Sequence, residues 1–160
     1  MSSTPSAQQP RVGTAAIIFN AKNPSQFLIG KRTSKSHGTD TWQLPGGHLD
    51  FKEEIEEGAA REVKEETDLD VKALGVVATT NDIFENEDPS QVKHYITLFV
   101  ACDMLEADAV PRITEPDKCA EWRWETWEGL KRRQEDGEAL FLPLQHLLSR
   151  KSGLDQLRRP

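Results

Sequence analysis

Residues 47–69 read GHLDFKEEIEEGAAREVKEETDL, and this stretch carries most of the net charge of the chain. Nine acidic and three basic side chains lie between residues 50 and 68, which gives a local charge of −6 out of a total of −7. Like charges repel each other at helical spacing, so the segment needs either solvent around its charged side or a bound cation. A solvated helix face and a cation site are both consistent with the charge pattern alone.

The same stretch is predicted to be a helix over residues 52–67. Ile55, Ala59 and Val63 recur at every fourth position and form one narrow apolar stripe, which is typical of a helix that packs on a sheet. Asp68 follows at the position where many helices end in a left-handed residue, a conformation that Asp tolerates better than most residues.

Three carboxylates are predicted to share one face of this helix. Glu62, Glu65 and Glu66 stand at i, i+3 and i+4, and residues with that spacing are neighbours on a helix surface. Carboxylate oxygens suit a hard divalent cation such as Mg²⁺, which keeps several waters and leaves room for a substrate phosphate. Upstream, Gly46 lies in a bend where its carbonyl is a candidate further ligand.

The remainder of the chain is predicted to consist mainly of strands. The predicted strands cover residues 14–19, 26–32, 42–44, 71–80, 94–102 and 120–125. Residues 82–91 are predicted to be a loop, and residues 140–148 a helix with Pro143 in its first turn. Strands on both sides of a central helix, followed by a terminal helix, indicate an α/β layered fold.

Length and composition narrow the protein class. A chain of 160 residues corresponds to one domain, which we place at 11–150 between a disordered segment, 1–10, and a flexible basic tail, 151–160. No apolar run has the length of a membrane span, and the first residues do not resemble a signal peptide. Two cysteines are too few for a disulfide framework, so we expect a cytoplasmic protein. The acidic charge disfavours binding to duplex nucleic acid.

The acidic segment resembles the Nudix box, the signature of the Nudix hydrolases. The family pattern is Gly, five residues, Glu, seven residues, Arg-Glu, an aliphatic residue, any residue, Glu-Glu, any residue, Gly and an aliphatic residue. Here Gly47, Glu53, Arg61-Glu62-Val63, Glu65-Glu66 and Leu69 match, whereas Asp68 stands in place of the last Gly. That position ends the helix, so the difference concerns local geometry more than chemistry.

The similarity extends over residues 11–148 and points to one branch of the family. LPGGHL at 44–49, HYIT at 94–97 and EPDKC at 115–119 are similar to MutT-type nucleotide diphosphatases, which include the plant cytosolic Nudix hydrolases and the human thiopurine-nucleotide diphosphatase. The resemblance implies a Nudix α/β/α sandwich with a mixed sheet and the Nudix loop-helix-loop. It also implies dependence on Mg²⁺, with Mn²⁺ as the alternative, and a homodimer.

The resemblance also implies roles for the residues of the box. Glu62 and Glu66 would bind the metal, with Glu65 as a third ligand, and Glu62 would also activate water. Arg61 would orient a glutamate. Glu53 would support the site either by contacting the residues around the metal without binding it, or by binding another metal.

A substrate pocket is predicted from residues outside the box. Its candidate members are polar residues next to the predicted strands and the glycine pair, together with apolar residues at the start of the last helix: Arg32, His48, Thr97, Phe141 and Leu142. The apolar pair would form the wall against which a base packs. For Arg32 a surface charge, and for His48 a structural hydrogen bond, remain the alternative interpretations.

Three functions are compatible with these observations. The first is Mg²⁺-dependent hydrolysis of a nucleoside triphosphate, such as a modified purine nucleotide like 8-oxo-dGTP, to the monophosphate and pyrophosphate. The second is hydrolysis of another diphosphate, namely a dinucleotide, a pterin triphosphate or an isoprenoid diphosphate. The third is a non-catalytic binding module, which the intact set of box carboxylates disfavours.

Overall fold

The computed structural model of the protein describes residues 8–35, 37–150, 153–154 and 157–158. The predicted disorder of residues 1–7, and most of the predicted flexible tail, lies outside these ranges. Within them, no helix has the length and apolar character that crossing a membrane requires.

The described residues form eight strands and three helices. The strands are β1 (Arg11–Phe19), β2 (Phe27–Arg32), β3 (Thr41–Gln43), β4 (Gly46–His48), β5 (Val71–Phe84), β6 (Lys93–Met104), β7 (Cys119–Glu125) and β8 (Ala139–Leu140). The helices are α1 (Ile55–Thr67), α2 (Trp127–Glu135) and α3 (Leu142–Leu148).

The strands form one mixed sheet with β1 near its centre. The main order is β5-β6-β1-β2-β3-β8, while β4 pairs with β1 and β7 pairs with β2. The pair β1–β6 is parallel, with Arg11 opposite Tyr95, and β5–β6 is a long antiparallel ribbon. This arrangement brings β4, which directly precedes the acidic segment, to the middle of the molecule.

Alternation along β1 places helices on both faces of the sheet. Ala15, Ile17 and Phe19 belong to a buried cluster that includes residues of α2 and α3, whereas Ala16 and Ile18 belong to a second cluster with residues of α1. Successive side chains of a strand point to opposite faces, so the sheet has α1 on one face and α2 and α3 on the other. The predicted α/β/α sandwich with a mixed sheet is confirmed.

Three of the differences between the observed elements and the sequence-based prediction bear on the site. Helix α1 starts at Ile55 and not at residue 52, because Lys52 has φ +65 and cannot be part of a right-handed helix. Strand β5 continues through Asp82 to Phe84, where a loop was expected. Strand β4 was not predicted, since two consecutive glycines give no strand signal.

The described residues of the tail pack on the domain. Leu157 is 4 % exposed and joins the core cluster below α3, with Leu154 against it. The guanidinium of Arg158 lies 5.5 Å from the centre of the Phe19 ring. The other residues of the tail lie outside the described ranges, so the flexible tail expected for residues 151–160 stays a prediction.

Candidate active site

The junction between β4 and α1 brings two carboxylates against a glycine pair. A Cβ atom on Gly47 would lie only 2.5 Å from the carboxyl carbon of Glu62, and the Gly46 amide donates a hydrogen bond to Glu66 Oε2 at 3.1 Å. The absence of a side chain at residue 47 therefore allows the helix to approach the strand this closely. Glu62 and Glu66, one turn apart on α1, both face β4.

Arg61 connects the carboxylates of the box. It donates two hydrogen bonds to Glu53, from Nε to Oε2 at 2.7 Å and from Nη2 to Oε1 at 3.0 Å. Its Nη1 donates to Glu62 Oε1 at 2.9 Å, and its Nη2 donates to the His48 carbonyl at 3.1 Å. A planar guanidinium held by several acceptors fixes their relative positions. Arg61 therefore acts on Glu62, as the resemblance implied.

The surroundings of Glu62 and Glu66, the two carboxylates that face β4, disfavour their charged forms. Burial raises the pKa of Glu66 to about 8, and repulsion from Glu62 and Glu115 adds to this effect. Burial also raises the pKa of Glu62, although Arg61 partly opposes the change. Raised carboxyl pKa values in a cleft are typical of groups that take part in chemistry or bind a cation.

Glu53 shows the opposite behaviour. The hydrogen bonds from Arg61 lower its pKa to about 2, and the Asp50 amide contributes as well. Because Glu53 is already paired with Arg61, its role here is to hold that arginine. The predicted supporting role agrees with this geometry.

The predicted set of metal ligands is only partly assembled. In the described ranges, no group of three or more His, Cys, Asp or Glu side chains is arranged to hold a metal ion. The side chain of Glu65 is 55 % exposed and lies 3.4 Å from Arg61 Nη1, because its helix position points it toward solvent. Gly46 contacts Glu66 through its amide, and the role predicted for its carbonyl as a metal ligand stays a prediction.

The remaining pair is nevertheless suited to Mg²⁺. Glu62 and Glu66 are adjacent, partly buried carboxylates whose charged forms lack sufficient compensation from the protein. Mg²⁺ commonly uses one or two carboxylates and fills its remaining positions with water and substrate phosphates. These two side chains would therefore hold the ion in this protein.

A cavity of about 170 Å³ adjoins the glycine pair. Its walls come from β1, β2, β4, β6 and the start of α3, and both Gly46 and Gly47 line it. Four of the five predicted pocket residues line this cavity: Arg32, His48, Thr97 and Phe141. Leu142 does not, since the next two residues of α3, Pro143 and Leu144, form that part of the wall. The structure therefore does not bring Leu142 together with the other four residues, and its contact with a substrate stays a prediction.

Arg32 and His48 are both fixed by neighbours. Arg32 donates to Gln43 Oε1 at 2.6 Å and to the His37 carbonyl at 3.0 Å, and it lies 4.1 Å from the centre of the Phe141 ring. His48 Nε2 lies 3.0 Å from the Tyr95 hydroxyl. Both residues therefore present oriented groups at the cavity.

Sequence reasoning missed the aromatic lining of the cavity. The ring centre of Phe84 lies 5.3 Å from that of Phe141 and 5.0 Å from that of His37, and Tyr95 also lines the cavity. Phe84 was placed in a loop because four acidic residues surround it in sequence. Tyr95 alternates with Thr97 along β6 with one residue between them, and this strand spacing was the signal that could have identified it.

An open trough of about 980 Å³ continues from the cavity. His37, His48 and Tyr95 line both. The other trough residues include Arg11 and Lys93 and no acidic side chain. This surface is thus more basic than the acidic chain as a whole.

Comparison with solved structures agrees with the fold. The MutT NUDIX hydrolase from Burkholderia pseudomallei superposes with a TM-score of 0.72 at 22% identity, over 91% of this chain and 100% of that one. The MutT protein from Methanosarcina mazei Go1 superposes with a TM-score of 0.66 at 26% identity, over 89% and 94%.

Sequence relatives match over parts of longer proteins. Nudix hydrolase 2 from Arabidopsis thaliana is 28% identical over 78% of this chain and 42% of its own length. Nudix hydrolase 6 from the same plant is 35% identical over 48% of this chain and 27% of its own. The chain therefore spans less than half the length of these relatives.

The model of the NUDIX domain matches residues 9–145, which include both walls of the cavity and the whole acidic helix. The predicted resemblance is confirmed: this chain belongs to the NUDIX domain family.

Proposed function

We propose that the protein is a Mg²⁺-dependent hydrolase that cleaves a nucleoside triphosphate between its α and β phosphates. Water and the triphosphate would give a nucleoside monophosphate and pyrophosphate. The observation that carries the proposal is the position of Glu62 and Glu66 against Gly46 and Gly47, directly beside a cavity lined by aromatic rings.

The residues of the chain would contribute in two ways, through their charge and by holding other groups in position. When bound, Mg²⁺ would neutralise phosphate oxygens and lower the pKa of water. Glu62, oriented by Arg61 and with its pKa raised by burial, would accept a proton from the attacking water. Glu53 would keep Arg61 in place. Phosphoryl transfer needs little more than such positioning and charge stabilisation.

The cavity supports the choice of a nucleotide. Phe84 and Phe141 offer aromatic surface to a base, and Arg32 brings a positive charge to the same wall. Ligand sites of this type combine apolar walls with a few oriented polar groups.

A second candidate substrate is a nucleoside diphosphate joined to another group. The basic trough that continues from the cavity favours it, because Arg11 and Lys93 could contact an anionic part of a longer molecule. A dinucleotide would reach this surface, whereas a simple triphosphate need not.

The test is product analysis by chromatography. The protein is incubated with the four ribonucleoside triphosphates, 8-oxo-dGTP, a dinucleotide and an isoprenoid diphosphate, with Mg²⁺, with Mn²⁺ or with a chelator. Monophosphate and pyrophosphate from a triphosphate, formed only with metal, would support the proposal. Turnover of the isoprenoid diphosphate alone, or release of orthophosphate alone, would contradict it. Binding without any turnover would favour the non-catalytic module.

A further inference from the structure

A fully buried carboxylate lies beside the cavity and takes no part in the box. Asp82 on β5 has no exposed surface. Its Oδ2 accepts hydrogen bonds from the hydroxyls of Thr80 at 2.8 Å and Thr97 at 2.6 Å, and its Oδ1 pairs with His146 Nδ1 at 2.7 Å. A buried charge persists only where such partners replace its water.

Asp82 connects the two walls of the cavity. Thr97 belongs to β6 and lines the strand wall. His146 belongs to α3, the helix whose first turn supplies Pro143 and Leu144 to the opposite wall. One carboxylate therefore fixes a strand residue and a helix relative to each other. No residue of the acidic box contributes to this contact.

The hydrogen bond to Asp82 also determines whether the Thr97 hydroxyl can donate or accept toward a ligand. A threonine hydroxyl has one proton, and a carboxylate can only accept, so the proton of Thr97 is committed to Asp82. Toward a ligand, the hydroxyl oxygen offers its lone pairs alone. Across the same cavity, Gln43 accepts from Arg32 through Oε1, which leaves its NH₂ group as a donor. The cavity thus presents a fixed acceptor as well as fixed donors.

We propose that Asp82 is a positioning residue that holds Thr97 as a hydrogen-bond acceptor, and that the cavity thereby selects nucleotides whose base carries an exocyclic amino group. This inference rests on the proposed hydrolysis of nucleotides and specifies the part of the base that is recognised. A site built around a hydrogen bond rejects an analogue that lacks the partner, because its own polar group is then left unpaired.

The experiment compares nucleotides that differ by one amino group. GTP with ITP, and ATP with purine riboside triphosphate, form two such pairs. For at least one pair, kcat/KM should favour the amino-bearing nucleotide by about tenfold. Thr97→Val should remove this preference by raising KM for that nucleotide, while kcat stays within about threefold because the carboxylate pair is untouched.

Thr80→Val is the matched control. Thr80 donates to the same oxygen of Asp82 but does not line the cavity, so its removal should leave the preference intact. Asp82→Leu should weaken the preference, again through KM more than kcat, since leucine accepts no hydrogen bond and the Thr97 proton is no longer committed to it. An unchanged preference in a folded Asp82→Leu protein would overturn the role given to Asp82.

The possible results distinguish a failure of this inference from a failure of the proposed function on which it rests. Absence of turnover for every nucleotide in the presence of Mg²⁺ contradicts the proposed function itself. Turnover without preference in either pair contradicts only the inference. Equal loss of preference in Thr80→Val and Thr97→Val would mean that the network acts through general packing, and it would also overturn the inference. All variants are assayed well below their melting temperatures, so partial unfolding does not enter the comparison.

Discussion

At the scale of single residues, the candidate site is organised by one guanidinium. Arg61 holds Glu53 and Glu62, whereas Glu66 receives its hydrogen bond from the Gly46 amide. Two carboxylates of the acidic segment thus have opposite pKa shifts, with Glu53, which precedes α1, lowered and Glu66 raised. The paired one has a structural role and the uncompensated one is available to a cation.

Glu62→Gln should abolish most turnover while leaving the fold intact. The amide is a poor Mg²⁺ ligand and cannot accept a proton from water, so kcat should fall on the order of a hundredfold or more. Glu56→Gln, an exposed change on the same helix, is the charge-matched control and should keep near-normal kcat. Steady-state rates at saturating Mg²⁺ decide it, and near-normal turnover in Glu62→Gln would refute the assignment.

Glu66 should make the stability of the metal-free protein fall as pH rises, most clearly between about 6.5 and about 8, because below 6.5 His37, whose pKa burial lowers to about 4, has the opposite effect. Glu66 titrates near 8 in the folded protein and near 4.5 when unfolded, so between these values the folded state binds the extra proton and rising pH favours unfolding. Mg²⁺ should offset the loss, because it binds only the native, charged site.

Melting temperatures across this pH range, with and without Mg²⁺, provide the measurement. Glu66→Gln should flatten the pH dependence and weaken the response to Mg²⁺, since it removes the titrating group. Glu128→Gln, on the separate helix α2, should behave like the unchanged protein. Equal shifts with Mg²⁺ in all three proteins would indicate screening of surface charge instead of a specific site.

At the scale of elements, the close approach of α1 to β4 depends on the glycine pair. Gly47→Ala would place a methyl group 2.5 Å from the Glu62 carboxyl carbon, so the carboxylate must move. Displacement of a reacting group by about 1 Å can lower kcat on the order of a hundredfold. We expect that loss with retained secondary structure, checked by steady-state kinetics and circular dichroism. Unchanged kcat would mean that the contact is not required.

The elements that sequence could predict are those whose local pattern agrees with their packing. The stripe of Ile55, Ala59 and Val63 identifies α1, and Asp68 does end it with φ 62. The extension of β5 through Asp82 could not be predicted, because the acid is stabilised by Thr97 and His146, which are distant in sequence. A local sequence pattern gives no information about such distant partners.

In the candidate site, likewise, the sequence predicts residues that a local pattern relates and misses residues that long-range packing brings together. The spacing of the box identified Glu62 and Glu66, since helix geometry relates positions one turn apart. It also grouped Glu65 with them, although Glu65 points to solvent. The lining of the cavity depends on how β6 and α3 meet across the sheet. For this reason Phe84 was missed, whereas Thr97 was identified from its position on a predicted strand.

At the scale of the whole molecule, both cysteines should report on unfolding. Cys102 and Cys119 are buried free thiols, and burial raises their pKa values to about 12 and about 11. The thiolate is the reactive form, so at pH 8 a thiol reagent should modify the native protein only as fast as it opens. Modification rates should therefore rise with denaturant in parallel with unfolding measured by fluorescence. Rapid labelling without denaturant would contradict this.

The parallel pairing of β1 with β6 also determines when the domain can form. Arg11 lies opposite Tyr95 in the central ladder, so during synthesis β1 waits for a partner strand that is made much later. Until then β1 can pair only with β2 and β4, and it lacks the long ladder that β6 provides. Long-range parallel pairing is intrinsically slow, so refolding in the laboratory should likewise be limited by closure of this ladder, and not by formation of the acidic helix.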